Sequence, residues 1–367
     1  MSSDTAPPPL ADLDLLRALV AIPSPTGQEA AAVAFLQEQA RRDGFRVQSD
    51  GAGNFLAEAG RGTRLVMLVG HVDTVHGHIP VREEAGELWG RGSVDAKGPL
   101  AAFYCAARRH LDDPDLRILV AGCVDEEGDS HGAKALPRDL RPEAIVVGEP
   151  SGVDGITLGY KGIVRGVFRA EVPAVHGGHP GQTGPDALVA WWSGVQRAFA
   201  FQDGFATPHG HLDHVATTSD GLLGVTVARF QVRLPPGLAP GLVADRLQEM
   251  ALDVGATVEV TERMPAAETG RRNALVAALS ASIRQEGHVV RPKRKTGTAD
   301  FNHLAQWHAG VPMVAYGPGD SHLDHSPSER VALAEFTQSV AVLDRALATL
   351  ARLPRALDPA VVASAVQ

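Results

Sequence analysis

Apolar and polar residues in the first part of the chain repeat with two different periods. Apolar positions recur at helical spacing over 10–20, 28–43 and 97–111, which predicts three amphipathic helices. Short apolar runs bounded by glycine or polar residues predict buried strands at 64–69, 116–122 and 144–147. Because helices alternate with strands, we expect a mostly parallel sheet with helices on both faces.

The middle of the chain shows an apolar–polar alternation, which is typical of strands with one exposed face. The predicted elements are a strand at 163–173, a helix at 185–200, a strand at 224–234, a helix at 240–252 and a strand at 256–261. Residues 202–214 are rich in glycine and histidine and are predicted to form a loop. This order of elements indicates a smaller α+β insert.

After residue 268 the earlier pattern returns, with a helix predicted at 273–286, a strand at 311–316 and a helix at 329–352. The sequence therefore predicts an α/β catalytic domain that is interrupted by the insert. The predicted bounds are 1–160 for the first part of the catalytic domain, 161–266 for the insert and 267–367 for the second part.

The amino-acid composition of the chain argues against several classes of protein function. The 367-residue chain has a formal net charge of -9, which argues against extensive nucleic-acid binding. Its two cysteines are too few for a disulfide framework or a Cys-rich zinc site. The sequence shows neither an export signal nor an apolar run of the roughly 18 residues that a membrane span needs. We therefore expect a soluble cytoplasmic protein.

Acidic and histidine side chains follow the predicted strands directly. His71 and Asp73 follow the first strand, the segment 125–127 follows the second, Glu149 follows the third, and His325 comes after the last. The carboxyl ends of parallel strands meet at one edge of a sheet, where ligands usually bind. We therefore expect these side chains to lie close together.

Carboxylates gathered at one edge repel each other, and burying them is costly unless a cation is present. Asp95, in the glycine-rich turn GRGSVDAKG before a predicted helix, adds a further carboxylate. Histidine and carboxylate are suitable ligands for zinc, and an open coordination position leaves room for water. These residues predict a pair of divalent cations that activates water.

Alternatives stay open at this point. The acidic segment 125–127 could be the solvated charge of a loop. Ser321, Asp324 and His325 include the residue types of a serine hydrolase, although such a nucleophile needs a sharp turn and an oxyanion hole. A non-catalytic metal-binding scaffold is a further class of protein. Such a scaffold would be expected to keep the metal ligands and to lack Glu126, the candidate general base.

Five motifs, taken in order, resemble the di-zinc aminoacylase/carboxypeptidase family. They are His71-x-Asp73, Gly-Arg-Gly-Ser-Val-Asp95-Ala-Lys-Gly, Asp125-Glu126-Glu127, Gly-Glu149-Pro-Ser and His325-Ser-Pro-Ser-Glu329. Members of that family include acetylornithine deacetylase, succinyl-diaminopimelate desuccinylase and glutamate carboxypeptidases. The resemblance implies that the insert is a ferredoxin-like dimerisation or lid domain and that the protein is a homodimer.

The resemblance also implies which residues hold the metals. His71, Asp95 and Glu149 would hold one Zn²⁺, and Asp95, Glu127 and His325 would hold the other. Asp95 would then bridge the two ions. Co²⁺ or Mn²⁺ would suit the same ligands.

Three catalytic roles follow from the same resemblance. Asp73 would orient His71 by accepting its other ring N–H. Glu126 would act as general base, taking a proton from water that attacks an amide carbonyl and passing it to the leaving amine. His176 would stabilise the transition state, and His179 competes with it for that role.

The finer match is to the lysine-biosynthesis branch of the family, through GHVDTV, GEPSGVDGITLGYKG and GPGDSHLDH. That branch releases lysine or ornithine from an acidic amino-group carrier protein, or deacetylates acetyl-lysine. The resemblance implies that Lys161 and Asp300 contact the substrate. The basic segment 291–295 would attract an acidic partner, or it is a solvated loop. Deacetylation of N-acetyl-lysine or N-acetylornithine remains the alternative reaction.

Overall fold

The structure is a computed structural model that describes residues 10–174 and 181–353. Within these residues the chain divides into two compact units. Unit 1 contains the described residues up to Thr157, Gly270–Lys293 and the described residues from His308 onward. Unit 2 contains Leu158–Thr269 and Arg294–Trp307. The predicted insert, 161–266, lies within unit 2, and its bounds stay a prediction.

Residues 294–307 group with unit 2 because their side chains contact it. The Asn302 amide donates to the carbonyl oxygens of Lys161, at 3.1 Å, and Pro265, at 2.9 Å. The rings of Phe301 and Tyr160 lie 5.2 Å apart. These contacts connect residues far apart in sequence, so no local pattern revealed them.

The helices of the described residues are α1 (Asp12–Ala21), α2 (Ala30–Asp43), α3 (Lys97–Arg108), α4 (His131–Ala135), α5 (Gly184–Ala198), α6 (Pro240–Leu252), α7 (Ala274–Gln285), α8 (Asp300–Trp307) and α9 (Leu333–Arg352), with a 3₁₀ turn at Ser321–Leu323. Among the described residues, each helix is too short or too polar to cross a membrane.

The strands are β1 (Arg46–Gln48), β2 (Phe55–Ala59), β3 (Arg64–His71), β4 (Arg82–Glu84), β5 (Glu87–Trp89), β6 (Leu116–Cys123), β7 (Ala144–Val147), β8 (Gly155–Tyr160), β9 (Gly162–Pro173), β10 (His209–Ser219), β11 (Leu223–Leu234), β12 (Ala256–Met264), β13 (Ala267–Glu268), β14 (Arg291–Lys295), β15 (Met313–Ala315) and β16 (Arg330–Ala332).

The large sheet of unit 1 has the order β1-β2-β6-β3-β7-β15-β8. Its four central strands, β6, β3, β7 and β15, are parallel, and the flanking strands pair antiparallel. Every residue of β3 and β7 is buried, so both faces of the sheet are covered. The predicted α/β class with a parallel central sheet is confirmed.

A small sheet of order β16-β5-β4 also lies in unit 1. The guanidinium groups of Arg82 and Arg330 lie over the Trp89 ring, 4.0 and 4.6 Å from its centre. Such cation–π contacts stabilise short strands that have little apolar surface of their own. This small sheet was not predicted, because its three-residue strands are too short to show a period.

Unit 2 contains a four-stranded antiparallel sheet of order β10-β11-β9-β12, with α5 and α6 packed against it. The chain order β9-α5-β10-β11-α6-β12 with this strand order is the ferredoxin-like arrangement predicted for the insert. Its core is aromatic: the Trp191 ring lies 4.8 Å from Phe168 and 5.1 Å from Phe230.

The predicted loop at 202–214 is wrong from His209 onward, because β10 begins there. β10 is an edge strand, and most of its residues are exposed or half-buried. A polar edge strand has no apolar alternation, so its conformation comes from its hydrogen bonds to β11.

Candidate metal centre

Three parallel strands of unit 1 end beside each other and carry the predicted site residues. In the pairing of β3 with β6, His71 lies opposite Cys123, and the acidic segment 125–127 follows. In the pairing of β3 with β7, Val69 lies opposite Val147. His71 and Glu149 each stand two residues beyond that pair, so the register places them at the same edge of the sheet.

Four of the predicted ligands converge at this edge. The Nε2 atom of His71 lies 3.2 Å from Oδ1 of Asp95. The Nε2 atom of His325 lies 3.1 Å from Oδ2 of Asp95 and 3.0 Å from Oε1 of Glu127. The two oxygens of Asp95 thus face two different imidazoles, which is the arrangement that a bridging carboxylate needs.

The donor set fits a divalent cation. Ligand atoms of His71, Asp95 and Glu127 all lie within 4.8 Å of one another. With metal–ligand bonds of about 2.1 Å, two ligands of one tetrahedral Zn²⁺ lie about 3.4 Å apart. The imidazole–carboxylate distances of 3.0–3.2 Å are close to that value. Small side-chain shifts would therefore suffice to hold the ion.

The charges of the site also favour a cation. Burial opposes protonation of His71, but hydrogen bonds to Asp73 and Asp95 outweigh it and raise the His71 pKa well above its usual value. Hydrogen bonds to Asp95 and Glu127 raise the pKa of His325 to about 10. Both shifts show an acidic field that stabilises positive charge at the imidazoles.

Asp73 is fully buried and connects two of the strand ends. Its Oδ1 accepts the backbone N–H of Glu126 and its Oδ2 that of Glu127, both at 3.0 Å. The Thr26 hydroxyl donates to Oδ2 at 3.0 Å. The His71 Nδ1 atom lies 3.0 Å from the Asp73 carbonyl oxygen and 3.5 Å from Oδ1. Burial raises the pKa of Asp73, but the His71 imidazole and the two backbone N–H donors outweigh burial and lower the Asp73 pKa below its usual value.

Glu126, the predicted general base, is half-buried in a tight turn. The turn begins at Asp125, whose φ of 63° lies in the left-handed region, where a residue other than glycine is held at a cost of about 1–3 kcal/mol. The Asp125 carboxylate accepts from the Asp129 N–H at 3.2 Å and lies 2.7 Å from the His131 Nδ1 atom. These bonds offset the strain and keep the turn in place.

The remaining predicted residues fall into three groups. Glu149 is buried in unit 1, 7% exposed. Lys161 and Asp300 lie in unit 2, where the Lys161 ammonium donates to the Thr207 carbonyl and lies 2.7 Å from Nδ1 of His209. Burial lowers the pKa of Lys161 to about 8. His176 and His179 lie outside the described residues.

The contacts of the His325 ring distinguish a metal centre from the alternative of a serine hydrolase. Its Nε2 atom contacts Asp95 and Glu127, so it faces carboxylates as a metal ligand would. A general base for serine must instead bond the serine hydroxyl. The geometry therefore favours a metal centre over a serine triad.

Three residues that support the site had no role predicted from the sequence. Thr26 lies 47 positions from Asp73, so no local spacing reveals the contact. Arg91 and Glu329 form an ion pair at 2.7 Å. Both stand within the motifs that carry the family resemblance, and that position was the signal that could have found them.

The chain matches Peptidase family M20/M25/M40 over residues 67–349 and belongs to that family. The predicted family membership is confirmed, and so is the predicted enzyme class, a hydrolase of amide bonds.

Two relatives align along nearly the whole chain. A Deinococcus radiodurans protein named "[LysW]-lysine hydrolase" is 41% identical over 350 residues, covering 92% of this chain and 96% of the relative. A Thermococcus kodakarensis protein, with the provisional name [LysW]-lysine/[LysW]-ornithine hydrolase, is 42% identical over 334 residues, covering 90% of each.

A solved structure supports the fold. A tripeptidase from Staphylococcus aureus subsp. aureus Mu50 superposes with a TM-score of 0.78 at 20% identity, covering 94% of this chain and all of that one. At this identity the likeness shows a shared fold.

Proposed function

We propose that this protein hydrolyses the amide bond that joins lysine, or ornithine, to the amino-group carrier protein LysW. One observation carries the proposal: a protein named for this reaction is 41% identical along 92% of the chain. The relative from Thermococcus kodakarensis supports ornithine as a second released amino acid. The reaction belongs to lysine and arginine biosynthesis, so we place the enzyme in the cytoplasm.

We further propose that two divalent cations, Zn²⁺ in the native enzyme, occupy the site. His71, Asp95 and Glu149 would hold one ion, and Asp95, Glu127 and His325 would hold the other. The two oxygens of Asp95 lie near different imidazoles, those of His71 and His325, which supports a role for Asp95 at both ions. A Bacillus subtilis protein described as a dinuclear metal-binding peptidase of the M20 family shares this fold, with a TM-score of 0.66.

The cations, when bound, lower the pKa of water and polarise the amide carbonyl. Glu126 takes the proton of the attacking water and then delivers it to the leaving amine. Asp73 keeps Glu126 and Glu127 in place through their backbone N–H groups. His176 donates a hydrogen bond to the oxygen on which negative charge develops.

Residues 161–266 are proposed as the dimerisation or lid domain of a homodimer, with Lys161 and Asp300 as substrate contacts. The acidic carrier would be attracted to the basic segment 291–295. Part of that charge is already balanced, since Arg291 pairs with Asp154 at 3.0 Å and Arg294 pairs with Glu268 at 2.5 Å. We therefore expect charge to contribute to docking without dominating it.

The test compares substrates side by side. Zn²⁺-loaded enzyme is assayed against carrier-linked lysine, carrier-linked ornithine, N-acetyl-lysine and N-acetylornithine. A kcat/KM for the carrier-linked substrates that exceeds the acetylated ones and falls as salt rises supports the proposal. Equal or better hydrolysis of an acetylated amino acid would instead assign a small-molecule deacetylase.

A further inference from the structure

In unit 1, an ion pair joins the half-buried Arg91, 14% exposed at its side chain, to the fully buried Glu329. β5 pairs antiparallel with β16, with Trp89 opposite Arg330, and the Gly90 N–H donates to the Glu329 carbonyl oxygen at 3.3 Å. This pairing brings Glu329, just before β16, next to Arg91, just after β5. The two side chains meet at 2.7 Å.

The carboxylate of Glu329 accepts hydrogen bonds from three residues of the segment that follows β5. Its Oε1 atom accepts the backbone N–H groups of Val94, at 3.0 Å, and Asp95, at 3.1 Å. Its Oε2 atom accepts from Nη1 of Arg91. Glu329 is fully buried, so water cannot substitute for any of these donors.

The guanidinium of Arg91 also bonds to the loop after His71 and to the segment that contains Glu329 itself. Its Nε atom donates to the Gly77 carbonyl oxygen at 3.2 Å, in the loop that follows His71. Its Nη1 atom also donates to the Ser326 carbonyl oxygen at 3.3 Å, one residue beyond His325. The pair therefore bonds to the segments that carry three predicted ligands.

Burying the Glu329 carboxylate and most of the Arg91 side chain is expensive, and an apolar pair of similar volume is often as stable. The stability of the fold alone gives little reason for this pair. Its bonds instead set the distances between chain segments, and the ligand spacing of a metal centre depends on such partners.

We propose that Arg91 and Glu329 are positioning residues that hold the loops of His71, Asp95 and His325 at the spacing required by a divalent cation. This rests on the proposed function, since it assumes that those residues bind metal. The pair is not among the proposed metal ligands, and it acts through the backbone of Asp95 and the neighbouring loops.

The test uses Glu329→Gln in the full-length protein. Glutamine keeps the shape, but its NH₂ group must face either the two backbone donors or Arg91, so one set loses its acceptor. We expect the Kd for Zn²⁺ alone, measured against a competing chelator, to rise about 10- to 100-fold. The visible spectrum of the Co²⁺-loaded protein should change as well, because the ligand geometry relaxes.

Asp43→Asn is the matched control in the same unit. Asp43 also has a buried carboxylate with two donors, the Tyr104 hydroxyl at 2.8 Å and Nη1 of Arg108 at 2.9 Å. This variant should lose stability yet keep the Zn²⁺ affinity and the Co²⁺ spectrum of the wild type. Arg91→Lys should weaken Zn²⁺ binding less than Glu329→Gln does, and it carries the test if Glu329→Gln does not fold.

Three results would overturn the inference. Wild-type Zn²⁺ affinity in a folded Glu329→Gln protein would show that the pair does not position the ligands. If Glu329→Gln does not fold, wild-type Zn²⁺ affinity in Arg91→Lys would show the same. Equal weakening in Asp43→Asn would reduce the effect to general destabilisation. A wild-type protein that binds no Zn²⁺ would refute the proposed function itself, which separates the two failures.

Discussion

The sheets of unit 1 and unit 2 bury their strands differently. Every position of β3 and β7 is buried, whereas β9 alternates between buried and exposed positions along its second half. A strand buried on both faces has no place for polar groups along its length, so chemistry in unit 1 collects at the strand ends. In unit 2 the sheet covers an apolar core that contains Trp191, Phe168 and Phe230. Substitutions at the strand ends of unit 1 should therefore affect catalysis, and substitutions in the core of unit 2 should affect stability.

The largest expected effect is on turnover in unit 1. Glu126→Gln should lower kcat by about 10²- to 10⁴-fold, because glutamine cannot carry the proton from water to the amine. Its metal content after gel filtration should match that of the wild type. Glu171→Gln, on an exposed position of β9, is the control and should leave both unchanged. Near-native turnover of Glu126→Gln would remove Glu126 from the mechanism.

The core of unit 2 should show the largest loss of stability. Trp191→Ala should cost about 3–5 kcal/mol of unfolding free energy, measured by urea denaturation. The substitution removes the contacts with Phe168 and Phe230 and the hydrogen bond from the indole N–H to the Leu247 carbonyl oxygen. Trp192→Ala, at a partly buried position, should cost less. Equal costs would show that Trp191 is not the centre of this core.

Two aspartates of unit 1, Asp73 and Asp113, have similar hydrogen-bond partners, but only Asp73 lies at the proposed metal site. Asp73→Asn should weaken Zn²⁺ binding about 10- to 100-fold, because the charge that orients His71 and the Glu126–Glu127 turn is lost. Asp113 likewise accepts two backbone N–H groups, those of Asp115 and Leu116, at 2.9 Å.

Asp113 also lies 3.0 Å from a histidine nitrogen, that of His110, so Asp113→Asn is a close control for Asp73→Asn. It should lower the unfolding free energy and leave Zn²⁺ binding unchanged. Zn²⁺ titration of both variants measures the difference. Equal affinities would contradict the role given to Asp73.

The smallest expected effect is a pH dependence of stability. His110 lies 3.0 Å from both Asp113 and Asp344; burial opposes its protonation, but the two carboxylates outweigh burial and raise its pKa above 6.5. Since the folded pKa exceeds the unfolded one, the stabilisation is fully present below about pH 6.5 and disappears as pH rises through the folded pKa.

The variant His110→Gln measures the contribution of the charged His110 side chain to the unfolding free energy. The unfolding free energy lost by the variant should be larger at pH 6 than at pH 9, because the charged imidazole contributes only at the lower pH. Urea denaturation of wild type and variant at both pH values provides the comparison. A loss that is the same at both pH values would show that the charge of His110 does not contribute.

Several elements could be predicted because their signals are local. The observed ranges of five elements fall within a few residues of the predicted ones: α1, α2, α3, α7 and β3. Each helix contains its own apolar period, and β3 is a continuous apolar run. β10 and the small sheet were missed because pairing with neighbours, rather than their own pattern, makes them strands. A local sequence pattern likewise cannot predict the contacts of Asn302 with unit 2, because its partners are far away in the chain.

The residue types at the strand ends and the order of the motifs are visible in the chain alone, because periodicity and turn chemistry depend on neighbouring residues. The folded structure adds that one Asp95 carboxylate faces both His71 and His325, and that His325 meets Glu127 across 198 residues. Distances of about 3 Å between such remote groups arise from strand register and from buried bonds such as those of Glu329. Strand register and buried hydrogen bonds depend on the packing of the whole chain, so no single stretch of sequence contains them.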